Sequence, residues 1–181
     1  STSNTLAHTY SSSGTYVVKI NSNSGATYRP RFANSGDEDQ IISIAVGSED
    51  SAEFGTDISN AFQGAQNMTK YNQVGAATSA VTSFHFTWSE CSGITGTFPL
   101  IDTSNATTLR ASWNGCSGLT GAFPSIDTSS ATRVDSGWKN CSGLTTFPLI
   151  NTSSVTNFGA AWEGCSGITT FPQLDTSSGT N

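Results

Sequence analysis

The chain has 181 residues, enough to bury one sizeable core, so a single domain or one domain with a short appendage is expected. With 7 basic against 13 acidic residues the net charge is -6, and no basic run could neutralise successive phosphates, which excludes nucleic acid as an expected partner. No apolar run approaches the roughly 20 residues of a membrane-spanning helix, and the polar opening "STSNTLAHTY" is unlike a signal sequence.

Residues 1–59 read as short strands. The stretches "GTYVVKI" (14–20), "TYRPRFA" (27–33) and "QIISIAVG" (40–47) are rich in β-branched and aromatic residues and are separated by the turn signals "NSNSG" and "NSGDED". This segment is expected to form an N-terminal β-strand cap over the open edge of residues 60–181. Asp37 and Asp39 of "GDED" match no complete calcium-loop pattern, and a solvated turn is the expectation there.

From residue 60 the sequence repeats. Cys91, Cys116, Cys141 and Cys165 are spaced 25, 25 and 24 residues apart, and Trp88, Trp113, Trp138 and Trp162 precede them at the same intervals. A Phe-Pro pair follows each Cys, and then "IDTSNAT", "IDTSSAT", "INTSSVT" or "LDTSSGT". "NAFQGAQNMT" (60–69) reads as a degenerate first copy, with Phe62 in the Trp place and Ala65 in the Cys place. Apolar positions mostly three apart, interrupted by "NTSS", fit neither a long helix nor a simple alternating strand. They fit a chain that winds once around a core per repeat, with short extended pieces near 144–150 and 155–158 and a tight turn around "AAWEG". The fold class expected is therefore mainly β: a solenoid of about five coils of 24–25 residues over residues 60–181, each coil needing its neighbours to bury its apolar side.

The rare residues of each copy have two readings. The Cys column is expected as a ladder of buried thiols, because nothing has the Cys-x-x-Cys spacing of a zinc site and the regular spacing singles out no disulfide pair. The Trp column is expected in the core, with a sugar-stacking platform as the alternative. Together Phe62, Trp88, Cys91, Trp113, Cys116, Trp138, Cys141, Trp162 and Cys165 form the expected core ladder, with Ile168 and Phe171 facing inward beside it. No metal and no cofactor is expected. Neither His8 nor His85 adjoins a recognisable nucleophile motif, His85 reads as a surface substitution, and no enzyme is expected. Asp102, Asp127, Asn151 and Asp175, each followed by Thr-Ser, read as turns that bond their own backbone.

Other columns vary from copy to copy. Arg110, Asp135 and Gly159 are equivalent by register, as are Asn114, Lys139 and Glu163, and Thr108, Arg133 and Asn157. These positions are expected to line a solvent face, where Arg110 with Asp135 and Lys139 with Glu163 can pair across coils. Thr108, Arg110, Asn114, Arg133, Asp135, Lys139, Asn157 and Glu163 are thus the candidate recognition face.

"CSGLTTFPLINTSSVTNFGAAWEGCSGITTFP" resembles the repeat of BspA-like leucine-rich repeat surface proteins. With Trp before the Cys and "FPLIDTSS" after it, the repeat is most similar to those of structural and fibre proteins of phages that infect marine cyanobacteria. The resemblance implies a non-enzymatic role in adhesion or recognition at a virion surface, or at an extracellular or cell surface. The implied partners are a protein or glycan on a host cell and other virion or surface-layer subunits, within a homo-oligomer or larger assembly.

Overall fold

The computed structural model describes residues 40–46, 54–73 and 77–180. The strands expected at 14–20 and 27–33, His8 and the "GDED" turn lie outside the described residues. Within the stretch 40–47 the strand β1 spans Ser43–Val46, and the other strands are β2 Lys70–Gln73, β3 Gly121–Ala122 and β4 Leu144–Thr146. β1 pairs in parallel with β2, Ser43 opposite Lys70, and β3 pairs in parallel with β4, Gly121 opposite Leu144. Single parallel bridges link Asp57 to Ser83, Ser83 to Thr108, Thr108 to Arg133 and Arg133 to Asn157. Each of these steps equals one sequence repeat, so successive copies lie side by side in parallel. Pairing stays short near the Phe-Pro dipeptides, where proline has no N–H to donate to a ladder.

Around each Trp the main chain follows a different scheme. Alternate N–H groups reach the next copy: Phe86 to Arg110 O, Trp88 to Ser112 O and Glu90 to Asn114 O, at 3.0, 2.8 and 2.6 Å. The N–H groups between them close local turns, as Ser89 to Phe86 O and Cys91 to Trp88 O do. Left-handed residues recur here twice per copy, at Phe86, Ala111, Ser136 and Ala160, and at Glu90, Gly115, Asn140 and Gly164. Their positive φ turns successive peptide planes so that one donor points along the stack and the next points back into its own copy.

This backbone stacks equal side chains on one another. Trp88, Trp113, Trp138 and Trp162 form one column with ring centroids 5.5 to 5.6 Å apart and planes within 11° of parallel. Tyr71, Phe98, Phe123, Phe147 and Phe171 form a second column, and each Trp meets the Phe of its own copy edge to face at 4.8 to 5.0 Å. The offset and edge-on geometry suits the ring quadrupoles. The indole Nε1 groups of Trp88, Trp113, Trp138 and Trp162 are buried and have no hydrogen-bond acceptor among the described residues.

The four cysteines are free thiols, and each donates to the main chain of the preceding copy. Cys91 bonds Phe62 O, Cys116 bonds Trp88 O, Cys141 bonds Trp113 O and Cys165 bonds Trp138 O, at 2.9 to 3.1 Å. Ile94, Leu119 and Leu144, with Ile101, Ile126 and Ile150, complete the buried columns. In the last copy Trp162, Cys165 and Ile168 pack against the core but are only half-buried, and Phe171, stacked on Phe147, is 44% exposed. Their side chains pack against the copy ending at Ile150 and have no second copy above them among the described residues.

Candidate recognition face

The variable columns come together beside the bridged column Asp57, Ser83, Thr108, Arg133 and Asn157. Two residues further along each copy stand His85, Arg110, Asp135 and Gly159, and four residues beyond those stand Ser89, Asn114, Lys139 and Glu163. Arg133 and Glu163 are exposed, while Thr108, Arg110, Asn114, Lys139 and Asn157 are half-buried.

Asp135 departs from the expected solvent position, since only 9% of its surface is exposed. Two arginines cover it. Arg133, two residues earlier on the same copy, donates from Nε to Oδ1 and from Nη2 to Oδ2, both at 2.9 Å. Arg110, one copy earlier in the same column, forms an ion pair with it, Nε lying 2.9 Å from Oδ2. The bidentate fork and the added ion pair replace the water the carboxylate loses on burial, and the hydrogen bond to Asp135 holds the Arg133 guanidinium above its ordinary pKa.

Arg110 is held on its other side as well. Its Nη1 lies 3.1 Å from His85 Nε2, and its guanidinium carbon sits 5.6 Å from the centroid of the Phe86 ring. His85 in turn packs on Phe86 at 4.4 Å. Partial burial, then the charges of Arg110 and Arg133, push the His85 pKa down, which leaves a neutral imidazole to accept from Arg110. The involvement of His85 and Phe86 has no signal in the sequence, because neither residue recurs in the other copies.

Further along the face Lys139 Nζ pairs with Glu163 Oε1 at 3.0 Å across copies. Asn114 Nδ2 donates to Glu90 Oε1 at 3.3 Å. These three ion pairs all belong to this face.

The Asp and Asn column lies elsewhere in each copy. Asp102, Asp127, Asn151 and Asp175 each accept, through Oδ1, the N–H two residues ahead at 2.9 to 3.1 Å. The bonds from Ser129 hold the Asp127 carboxyl below its ordinary pKa, and those from Ser177 do the same for Asp175. Among the described residues no three His, Cys, Asp or Glu side chains gather as a metal site, and no helix is long and apolar enough to cross a membrane. Compared with protein-family models, curated proteins and solved structures, the chain matches none of them.

Proposed function

We propose that this chain is a non-enzymatic, leucine-rich-repeat-like solenoid module of a virion surface protein, fibre or capsid-associated, that serves attachment to a host cell. The observation that carries the reading is a division of labour between columns. The Trp, Phe and Cys columns keep one residue type and stack in the interior, while the columns of Arg110, Arg133 and Lys139 change type at each copy and gather charge on one face. A repeat scaffold writes specificity in such non-repeating exposed positions. The partner is a protein or glycan of the host surface, and the similarity of the repeat to those of cyanobacterial phages points to a cyanobacterial host.

The test is attachment of the labelled protein to cyanobacterial cells. Replacing Arg110, Arg133 and Lys139 together by Ser is expected to reduce cell binding while circular dichroism and the melting transition persist. Undiminished attachment by the folded triple variant removes this face from the proposed site.

A second reading, a subunit that stabilises a fibre or shell by stacking on its neighbours, draws on the partly uncovered Trp162 and Phe171. Sedimentation velocity separates the two readings, because stacking requires concentration-dependent growth and attachment through the charged face does not.

A further inference from the structure

We propose that the Arg110, Asp135 and Arg133 cluster is the contact point for an oxyanion, a carboxylate or sulfate ester, carried by an acidic polysaccharide of the recognised surface; this rests on the attachment reading above. The carboxylate of Asp135 takes the Arg133 Nε hydrogen and one Arg133 Nη2 hydrogen and lies 2.9 Å from Arg110 Nε. His85 takes one hydrogen of Arg110 Nη1. Among the described residues the Nη2 pair of Arg110 and the Nη1 pair of Arg133 have no acceptor, on side chains 41% and 44% exposed. Asp135 is buried between the two forks and locks both, so a second oxyanion meets donors whose rotamer freedom is already spent.

Charge favours the same place. Among the described residues the cations are Lys70, Arg110, Arg133 and Lys139, and Lys139 is held by Glu163. The cluster sets two guanidinium charges against one carboxylate within a chain of net charge -6. The charge of Asp57 in the first copy acts on His85 in the opposite sense to the two arginines.

The surroundings point to a saccharide. Beside the cluster runs a column of exposed threonines, Thr82, Thr107, Thr132 and Thr156, each donating its hydroxyl hydrogen to the carbonyl of the Thr one copy earlier at 3.0 to 3.2 Å. Their oxygen lone pairs remain free to accept from sugar hydroxyls. Nucleic acid would need a run of cations along its phosphates, which this face lacks.

The experiment measures binding of the whole chain to alginate, which carries carboxylates, to dextran sulfate, to uncharged dextran and to a short DNA duplex. The probes are compared at about 20 mM and about 300 mM salt, where screening differs strongly. The wild type is expected to bind alginate or dextran sulfate, more weakly at the higher salt, and to ignore dextran. The pair Arg110→Gln with Arg133→Gln is expected to weaken this binding about tenfold or more; its melting temperature falls, because Asp135 stays buried without its partners, and circular dichroism shows that the variant is folded at the assay temperature. Arg133→Lys keeps charge and fold but loses the fork, and is expected to fall between them. Equal binding by the folded double variant overturns the proposal, as does binding of dextran or DNA as tight as that of the acidic polymers. If neither acidic polymer binds while cell attachment still requires Arg110, Arg133 and Lys139, the ligand class falls and the attachment reading stands.

Discussion

Trp113 and Trp138 stack with ring centroids 5.5 Å apart and planes 8° from parallel, and both are fully buried. Such a column couples every copy to the next, so the loss of one ring is felt on both sides. Trp138→Ala removes contacts with Trp113, Trp162, Phe123 and Phe147 together and is expected to cost about 3 to 5 kcal/mol. Trp162→Ala, at a half-buried position, is expected to cost less. Denaturant unfolding of both variants measures the order, and a Trp138→Ala protein as stable as wild type would contradict the role of the column in the core.

The period of the chain is legible in its sequence because bulky residues in short supply return at equal intervals, and in space those intervals become neighbours. Trp88 stands on Trp113 and Cys116 reaches Trp88 O for that reason. The backbone between them is harder to foresee. Left-handed conformations at Phe86, Ala111, Ser136 and Ala160 run against residue preference and are imposed by hydrogen bonding between copies. Tyr71 as the first member of the Phe column is also concealed, since it sits in a strand paired with residues that precede the repeat. On the face, the variable positions are visible from the alignment of copies, but the burial of Asp135 is not. It results from two arginines on different copies converging on one carboxylate, a relation set by three-dimensional register.

The Gly of each "CSG" is expected to resist substitution. A Cβ on Gly143 would run into the carbonyl oxygen of Leu119 on the preceding copy, and one on Gly167 would meet that of Leu144. Main chain cannot yield as a flexible side chain does, so Gly143→Ala is expected to destabilise by about 1 to 3 kcal/mol. Gly96, whose added Cβ would meet nothing within 4 Å, is the control for space alone and retains only the strain of its φ of +78°. Thermal melts of Gly143→Ala and Gly96→Ala compare the two costs, with the larger loss expected at Gly143.

Burial pushes the Cys thiols up, Cys91 to about 12, and Cys116 and Cys141 also well above the ordinary value of 9.0. A folded-state pKa above the unfolded one contributes stability that is complete below the unfolded value and is lost as pH climbs through the folded value. The contribution of Cys91 is therefore expected to fade between about 9 and about 12. Stability curves of wild type and Cys91→Ala should converge over that range. In native protein near neutral pH a thiol reagent is expected to modify Cys165, which is half-buried, well before the three buried cysteines. Simultaneous reaction of all four in folded protein would show that the ladder opens as a whole.

The cluster around Asp135 makes the last prediction. The His85 pKa is lowered by partial burial first, then by Arg110 and Arg133, so the neutral ring is the form the fold favours. Its stabilising effect is complete above the ordinary value of 6.5 and is lost as pH falls through the lower, folded-state value. Proton NMR titration should place the His85 midpoint below 6.5. Asp135→Ala removes the carboxylate that holds the two guanidinium groups, frees both positive charges beside the imidazole and takes away two charge-assisted bonds and an ion pair. Because both arginines are partly exposed, the expected loss is about 1 to 2 kcal/mol, below that of a fully buried pair. The His85 midpoint is expected to move further down in this variant, since Asp135 is one of the groups that raise it. A midpoint unchanged by Asp135→Ala would mean that the carboxylate and the imidazole do not share one electrostatic site.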